Sequence, residues 1–391
     1  MLIKNGTVLS RDQLEANTDV RVSDGRITAL SSGLQPKPGE QVIDADGQLA
    51  LPGFVDLHTH GIRDVLVQEN GLVKYSRYQL EQGVTACTPT LLGSVTSNIA
   101  AMRAGLQETD SFRRTPNILG FRLELPYLFK PGAAQPSALA AIESSATQAL
   151  YEAGEGHIKI WDVSPELEAV VPFIEWATAQ GIVTSLAHTS ATIEQTRRAV
   201  DAGMSLVTHL FDTFDLPIEL DPGVYPAGLV DYVLIEDRLT AEIIPDGVHV
   251  HPYLVEETLR CKGTERTAFI TDSVRGAGNP PGRYAGLYAG TEIEVTADRG
   301  VRRTLDDGLS GSALTQLVSF QNSVLKFGRS IPAASCLCSR TPARVLGARK
   351  KGLLALGMDA DIVILDCHLR LIATIIGGEL AYQSLSLPAI D

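Results

Sequence analysis

The chain has little cysteine, no excess of positive charge and no long apolar run, and each shortage removes a class of protein. Five cysteines in 391 residues cannot build the disulfide framework of a small secreted scaffold. Cys336 and Cys338 form a C-x-C pair with no second Cys or His pair near them, so they are not read as a metal site. Cys87, inside an apolar run, reads as core. Lys and Arg number 33 against 46 Asp and Glu, a net charge of −13. That argues against a nucleic-acid partner, which calls for a basic footprint. No stretch reaches transmembrane length, and Met1-Leu2-Ile3-Lys4-Asn5-Gly6 is not a signal peptide. A membrane is therefore not an expected partner, and the cytoplasm is the expected compartment. What is present, 44% hydrophobic and 20% charged, suits one large domain or a large domain with a small one.

The two ends of the chain look alike and differ from the middle. Residues 1–50 hold short strand patterns: Leu2–Leu9, then Asp19–Leu30 broken at Asp24-Gly25, then Gln41–Leu51 broken at Asp46-Gly47. Asp-Gly within apolar alternation is a hairpin signal. Residues 350–391 repeat the style with Asp361–Leu365, Leu369–Ile376 and a Gly377-Gly378 turn. The expectation is one small, sandwich-like β domain built from both termini. Residues 51–349 alternate strand and helix. The candidate strands are Phe54–Thr59, Val84–Leu91, Ile118–Leu123, Ile158–Val163, Ile182–Ala187, Leu206–Thr208, Ala241–Ile244 and Ala268–Thr271. Helical patterns such as Pro165–Gln180, Thr192–Ala202 and Pro252–Cys261 lie between them. Eight such units predict an α/β fold of the TIM (β/α)8 barrel type. The rival, a doubly wound open sheet, lacks its G-x-G-x-x-G after the first strand. Arg283–Asp307 reads as an inserted hairpin.

The chemistry gathers where a barrel keeps its active site, at the carboxyl ends of the strands. The first strand runs into His58-Thr59-His60, and alternation points both imidazoles to one face. The third ends in Glu124, the fifth in His188, the sixth in His209 and the eighth in Asp272; the seventh is followed by Asp246-Gly247-Val248-His249-Val250-His251. Six of the eight histidines thus fall at or just past strand ends. His157, before its strand, and His368, in the terminal β region, are read as structural and surface residues. Lys159 is read as alternating inward on the fourth strand, either as a carboxylated bridge between two metals or as an ordinary packed lysine. Mixed His and carboxylate ligands suit a divalent metal, Zn²⁺ first, with Fe²⁺, Mn²⁺ or Co²⁺ as alternatives. Asp272 is read as the acid/base towards a metal-activated water, or else as a further ligand or helix cap.

Seven short motifs then appear in order. Pro52-Gly53-Phe54-Val55-Asp56-Leu57-His58-Thr59-His60-Gly61 comes first, followed by Arg122-Leu123-Glu124-Leu125-Pro126 and Ala187-His188-Thr189-Ser190-Ala191-Thr192. Thr208-His209-Leu210-Phe211, Asp246-Gly247-Val248-His249, Thr271-Asp272 and Leu309-Ser310-Gly311-Ser312-Ala313-Leu314-Thr315 complete the series. Together they resemble the amidohydrolase superfamily, and within it the N-acetylglucosamine-6-phosphate deacetylases. The resemblance implies a metal-dependent hydrolase that removes an acetyl group from an amino sugar. It implies that Glu124, His188 and His209 hold the principal metal, and that His58 and His60 hold a second where one is present. It also implies Asp272 as acid/base, His249 against the substrate, a small-molecule substrate and a homodimer.

The chain departs from that family's pattern at the substrate end. Asp212-Thr213 stands where the family has the Asn-Ala that helps to hold a phosphate, and Leu220 stands for its phosphate-binding Arg. Ala134, in Gly132-Ala133-Ala134-Gln135-Pro136, replaces a His near the scissile amide. Arg122 replaces the His of H-x-E, and Leu125 the Gly after the Glu. Arg122 alternates with Glu124 and is read as pairing with it, contacting substrate or forming a buried pair. Ala133, Asp212, Thr213, Arg122 and His249 are the expected substrate-side residues. A leucine cannot replace a guanidinium fork, and a carboxylate repels phosphate. The expectation is therefore amide hydrolysis on an N-acetyl amino sugar or similar small N-acyl compound, without 6-phosphate recognition. The alternatives are hydrolysis of an N-acyl amino acid or cyclic amide on the same barrel, and a non-catalytic barrel scaffold.

Overall fold

The computed structural model describes residues 1–217 and 221–384. Its centre is a ring of eight parallel strands: β1 (Phe54–Thr59), β2 (Val84–Leu91), β3 (Phe121–Leu123), β4 (Ile158–Val163), β5 (Val183–Leu186), β6 (Leu206–Val207), β7 (Thr240–Ile243) and β8 (Thr267–Phe269). Each pairs with the next in sequence. The ring closes just beyond β8, where Asp272 N donates to His58 O at 2.8 Å and His60 N to Ser273 O at 2.7 Å. The result is a TIM-type barrel, as the alternation of patterns predicts. The barrel floor is filled by Val55, Leu57, Ala86, Ile160, Leu206, Ile244, Ala268 and Ile270. Alternate residues, among them Trp161, Val163, Leu186 and Phe269, face outward into the larger core shared with the helices.

Alternation on β4 corrects the reading of Lys159. Ile160 belongs to the barrel floor and Asp162 is buried against Arg122 at 3.0 Å. Lys159, of opposite parity, therefore turns away from the interior, and it sits near Gly120 at the amino-terminal rim. It is not placed to bridge metals. The expected helix Pro165–Gln180 also shortens to Val170–Ala179. Glu166, in the segment that drops out, binds Thr189 Oγ1 and Ser190 N at 2.6 Å each. That tether holds the chain in a turn beside the His188 loop.

Both termini contribute to one sheet, ordered 379–383, 371–376, 362–365, 49–52, 2–10, 13–23, 26–31. The Asp24-Gly25 turn, with both residues at positive φ (50° and 70°), joins Ser23 to Arg26 in an antiparallel hairpin, the geometry favoured for two-residue loops. Asp46-Gly47 does not form the expected hairpin. The strands on either side of it, Val42–Asp44 and Leu49–Pro52, both pair in parallel with the first strand of the chain, because Gly47 N and Gln48 N bond back to Asn5 O and Ala45 O. In place of two stacked sheets there is this single sheet, curved so that the turn of one end hairpin touches the turn of the other. A Cβ on Gly25 would lie 3.1 Å from Gly377 O, and Ala360 N bonds Gly25 O at 2.9 Å. The concave face encloses Ile3, Val8, Val20, Ile27, Ile362, Ile364 and Ile375.

The insertion expected as a hairpin is a three-stranded antiparallel sheet, Gly282–Ala285, Glu292–Thr296 and Gly300–Arg303. Val274, Ile293, Val295 and Val301 give it a core of its own. It stands over the carboxyl end of the barrel and supplies Leu287 and Arg303 to the cavity there.

Candidate active site

Two sets of three ligating side chains converge at the carboxyl ends of the strands. Glu124, His188 and His209 form one set, and His58, His60 and Asp272 the other. In the first, His188 Nε2 lies 3.0 Å from Glu124 Oε1 and 3.2 Å from His209 Nε2, and His209 Nε2 lies 3.4 Å from Glu124 Oε1. In the second, His58 Nε2 and His60 Nε2 are 3.1 Å apart, and Asp272 Oδ1 is 3.4 Å and 3.2 Å from them. Four ligands at Zn–N lengths around a tetrahedral ion stand about 3.3–3.4 Å from one another. Both sets match that spacing. Glu124 joins them: its Oε2 lies 3.1 Å from His60 Nε2 while its Oε1 faces the other pair.

Two of the four rings are held by their far nitrogens. His60 Nδ1 donates to Thr90 O at 3.0 Å and His188 Nδ1 to Lys130 O at 3.1 Å, which leaves each Nε2 lone pair free to ligate. His188, His209 and Asp272 adopt positive φ (45°, 28° and 48°). Such backbone costs about 1–3 kcal/mol per residue and is retained where surrounding structure holds it. Gly132 passes directly over the site, where a Cβ would come within 2.3 Å of His188 Cε1.

The charge of the site calls for a cation. Burial works against a charge on the His60 ring, yet Glu124 and Asp272 raise it to about 10. His209 behaves likewise: burial opposes the charge, and the Glu124 hydrogen bond leads in lifting it to about 10. Burial also opposes ionisation of Asp272, but His58 and His60 outweigh it and bring the carboxyl down to about 2. Protons on these imidazoles thus balance the carboxylates, and a divalent ion would displace them. Spacing, donor type and charge all fit a metal.

Above the ligands lies a cavity of about 190 Å³. His249, Asp212, Thr213 and Ala133 line it, and His58 lies beneath it, fully buried. His249 Nδ1 donates to Asp246 Oδ2 at 2.6 Å. Burial opposes a charge on that ring, but the Asp246 bond raises its pKa, which favours the doubly protonated form in which Nε2 also carries a proton. Ala134 is part of the wall as well. Leu220 lies outside the described residues.

His251 does not line the cavity: it caps the helix Pro252–Lys262, and its ring lies tilted against Tyr253. Arg122 does not pair with Glu124 and does not line the cavity, which corrects its reading as a substrate-side residue; of its three readings the buried pair is the one the structure shows. Its guanidinium is fully buried below the ligands, bonded to Asp162 (3.0–3.2 Å), Glu242 (2.7 and 2.9 Å), Thr208 Oγ1 and Leu57 O. All of its donor capacity is spent there. Asp162 and Glu242 belong to none of the seven sequence motifs. Both alternate inward on their strands, the one signal that marks them. The apolar wall of Leu92, Leu125, Leu128, Leu287 and Leu309 has no signal of its own in the sequence.

A family model described as the amidohydrolase family matches residues 49–381. The chain belongs to that family. This amidohydrolase is 32% identical over 370 residues to an N-acetylgalactosamine-6-phosphate deacetylase of Escherichia coli O157:H7, covering 93% of this chain and 94% of the relative. It is 29% identical to an N-acetylglucosamine-6-phosphate deacetylase of Lysinibacillus sphaericus, covering 98% of both. The crystal structure of the corresponding enzyme of Mycobacterium smegmatis superposes with a TM-score of 0.86 at 26% identity, covering 98% of this chain and all of that one. The amidohydrolase is accordingly a metal-dependent hydrolase of an amide C–N bond, of the deacetylase type.

Proposed function

We propose that this amidohydrolase removes the acetyl group from an N-acetyl amino sugar or a similar small N-acyl compound. The observation that supports this reading over cyclic-amide opening is Glu124, whose two oxygens face the two ligand sets, while Lys159 turns away from them. The relatives named above act on 6-phosphorylated N-acetylhexosamines, to judge from their names. Zinc is the proposed metal, one ion or two, on Glu124, His188 and His209, with His58, His60 and Asp272 beside them. A divalent ion bound there supplies Lewis acidity, polarising an acyl oxygen and acidifying water to near-neutral pH.

The chain's own groups do the rest. Asp272, held ionised at the rim of the cavity, accepts the proton of the attacking water and returns it to the leaving nitrogen. His249, backed by Asp246, donates Nε2–H to the substrate. Ala133 and Thr213 border the substrate's non-reacting part. The further proposals carried from the sequence are a homodimer, the cytoplasm as compartment, and a division into residues 51–349 and a β domain of 1–50 with 350–391.

The test is a screen of metal-loaded protein for release of free amine from N-acetylhexosamines with and without phosphate, N-acyl amino acids and cyclic amides. Turnover of an N-acetylhexosamine is expected. Turnover confined to amino acid derivatives or cyclic amides overturns the reading in favour of those reactions, and none at all with metal bound favours a scaffold.

A further inference from the structure

The metal set divides the cavity into two unlike sides. Leu92, Leu125, Leu128 and Leu287, from the β2 and β3 ends and the insertion, make one side apolar. Asp212, Thr213 and His249, beyond β6 and β7, make the other side polar. On that polar side the His249 ring is already paired with Asp246, and Asp212 adds a second carboxylate. The Asp212 carboxylate lies within 4.8 Å of the ligating atoms of His209 and Asp272. Among the described residues it has no hydrogen-bond or ion-pair partner; the bonds Asp212 makes are those of its backbone, whose carbonyl accepts from Thr213 Oγ1 and whose N–H donates to His209 O.

Nearby cations are already committed. Arg303 lines the cavity, but its guanidinium holds Asp306 at 2.9 and 3.0 Å. Lys130 Nζ is bonded to Asp215 at 2.6 Å and to the Thr189 and Thr213 carbonyls. Arg275 is paired with Glu69. Among the described residues, a phosphate on this side would meet the Asp212 carboxylate, and the one guanidinium lining the cavity, that of Arg303, is held by Asp306, whereas phosphate recognition rests on charge-assisted bonds to free cations.

We infer that Asp212 is a specificity residue that selects a substrate presenting a hydroxyl or ammonium donor, and disfavours one presenting a phosphate. The inference rests on the reading of this cavity as the substrate site for an N-acyl amino sugar. It gives the preferred class as uncharged or cationic N-acyl amines, in contrast to the phosphate esters in the relatives' names. The donor bonds Asp212, while the acyl group crosses the metal set towards the leucine wall.

The experiment separates binding from turnover. Binding of glucosamine, glucosamine 6-phosphate and 6-amino-6-deoxyglucosamine to the metal-loaded protein is measured by calorimetry, and turnover is measured on their N-acetyl forms. The phosphate ester should bind at least ~10-fold more weakly than glucosamine, about 1.4 kcal/mol, and the diamine at least as tightly as glucosamine. Asp212→Asn should narrow the gap between phosphate ester and diamine at least ~10-fold with metal content unchanged. Tighter binding of the phosphate ester by the unmodified protein overturns the inference. So does an unchanged gap in Asp212→Asn, loss of metal from that variant, which would make Asp212 a ligand, or failure of all three compounds to bind. If the binding order holds and none of the acetylated forms is hydrolysed, Asp212 keeps its role and the deacetylase reading falls.

Discussion

His58 and His60 turn their Nε2 atoms to within 3.1 Å of each other. Two imidazole lone pairs brought that close repel unless a proton or a cation lies between them. His60 Nδ1 is already committed to the Thr90 carbonyl, so Nε2 is the nitrogen that the ring turns inward. The second pair, His188 and His209, repeats the arrangement at 3.2 Å, with Glu124 between the two pairs.

Metal content follows directly. Purified protein should carry at least ~0.5 equivalent of a transition metal, the occupancy expected of an intact site of this ligand type. His188→Ala or His209→Ala should lose most of it, read by elemental analysis. Full retention in both variants would remove them from the ligand set.

Asp272→Asn preserves the shape of the side chain and removes its proton acceptor. Positioned acid–base groups contribute ~10²–10⁴-fold. Turnover should fall at least ~10²-fold while metal content stays largely intact, a pair of readouts that distinguishes proton transfer from ligation. Near-normal turnover would make Asp272 a bystander.

Arg122→Met leaves Asp162 and Glu242 facing each other without their cation, fully buried. Breaking a buried ion cluster by removing one partner costs about 3–5 kcal/mol. The denaturant midpoint should fall accordingly. Arg122→Lys should recover only part of the loss, because an ammonium cannot span both carboxylates, Thr208 and the Leu57 carbonyl as a guanidinium does. A midpoint within experimental error of the unmodified protein would show that the cluster contributes nothing to stability.

Local chemistry determined much of this protein in advance. Apolar alternation marked the barrel strands to within a few residues, because facing repeats every second residue and needs no knowledge of distant partners. The same rule put His58 and His60 on one face, and the position of Glu124, His188, His209 and Asp272 at strand ends placed them at one end of a closed ring. Parity was a weaker guide for Lys159, assigned inward where the side chains of Ile160 and Asp162 show the opposite facing. What only the tertiary structure decided are the pairings between residues far apart in the chain. Arg122 meets Asp162 and Glu242 across 40 and 120 positions. The Asp46-Gly47 turn lays both its strands parallel to the first strand instead of against each other. Arg303 reaches the cavity only because the insertion folds back over the barrel, and it arrives already paired with Asp306. A sequence states which groups are available and which way a strand turns them; only closure of the ring brings charges from different strands together and settles which are neutralised and which, like Asp212, are left for a ligand.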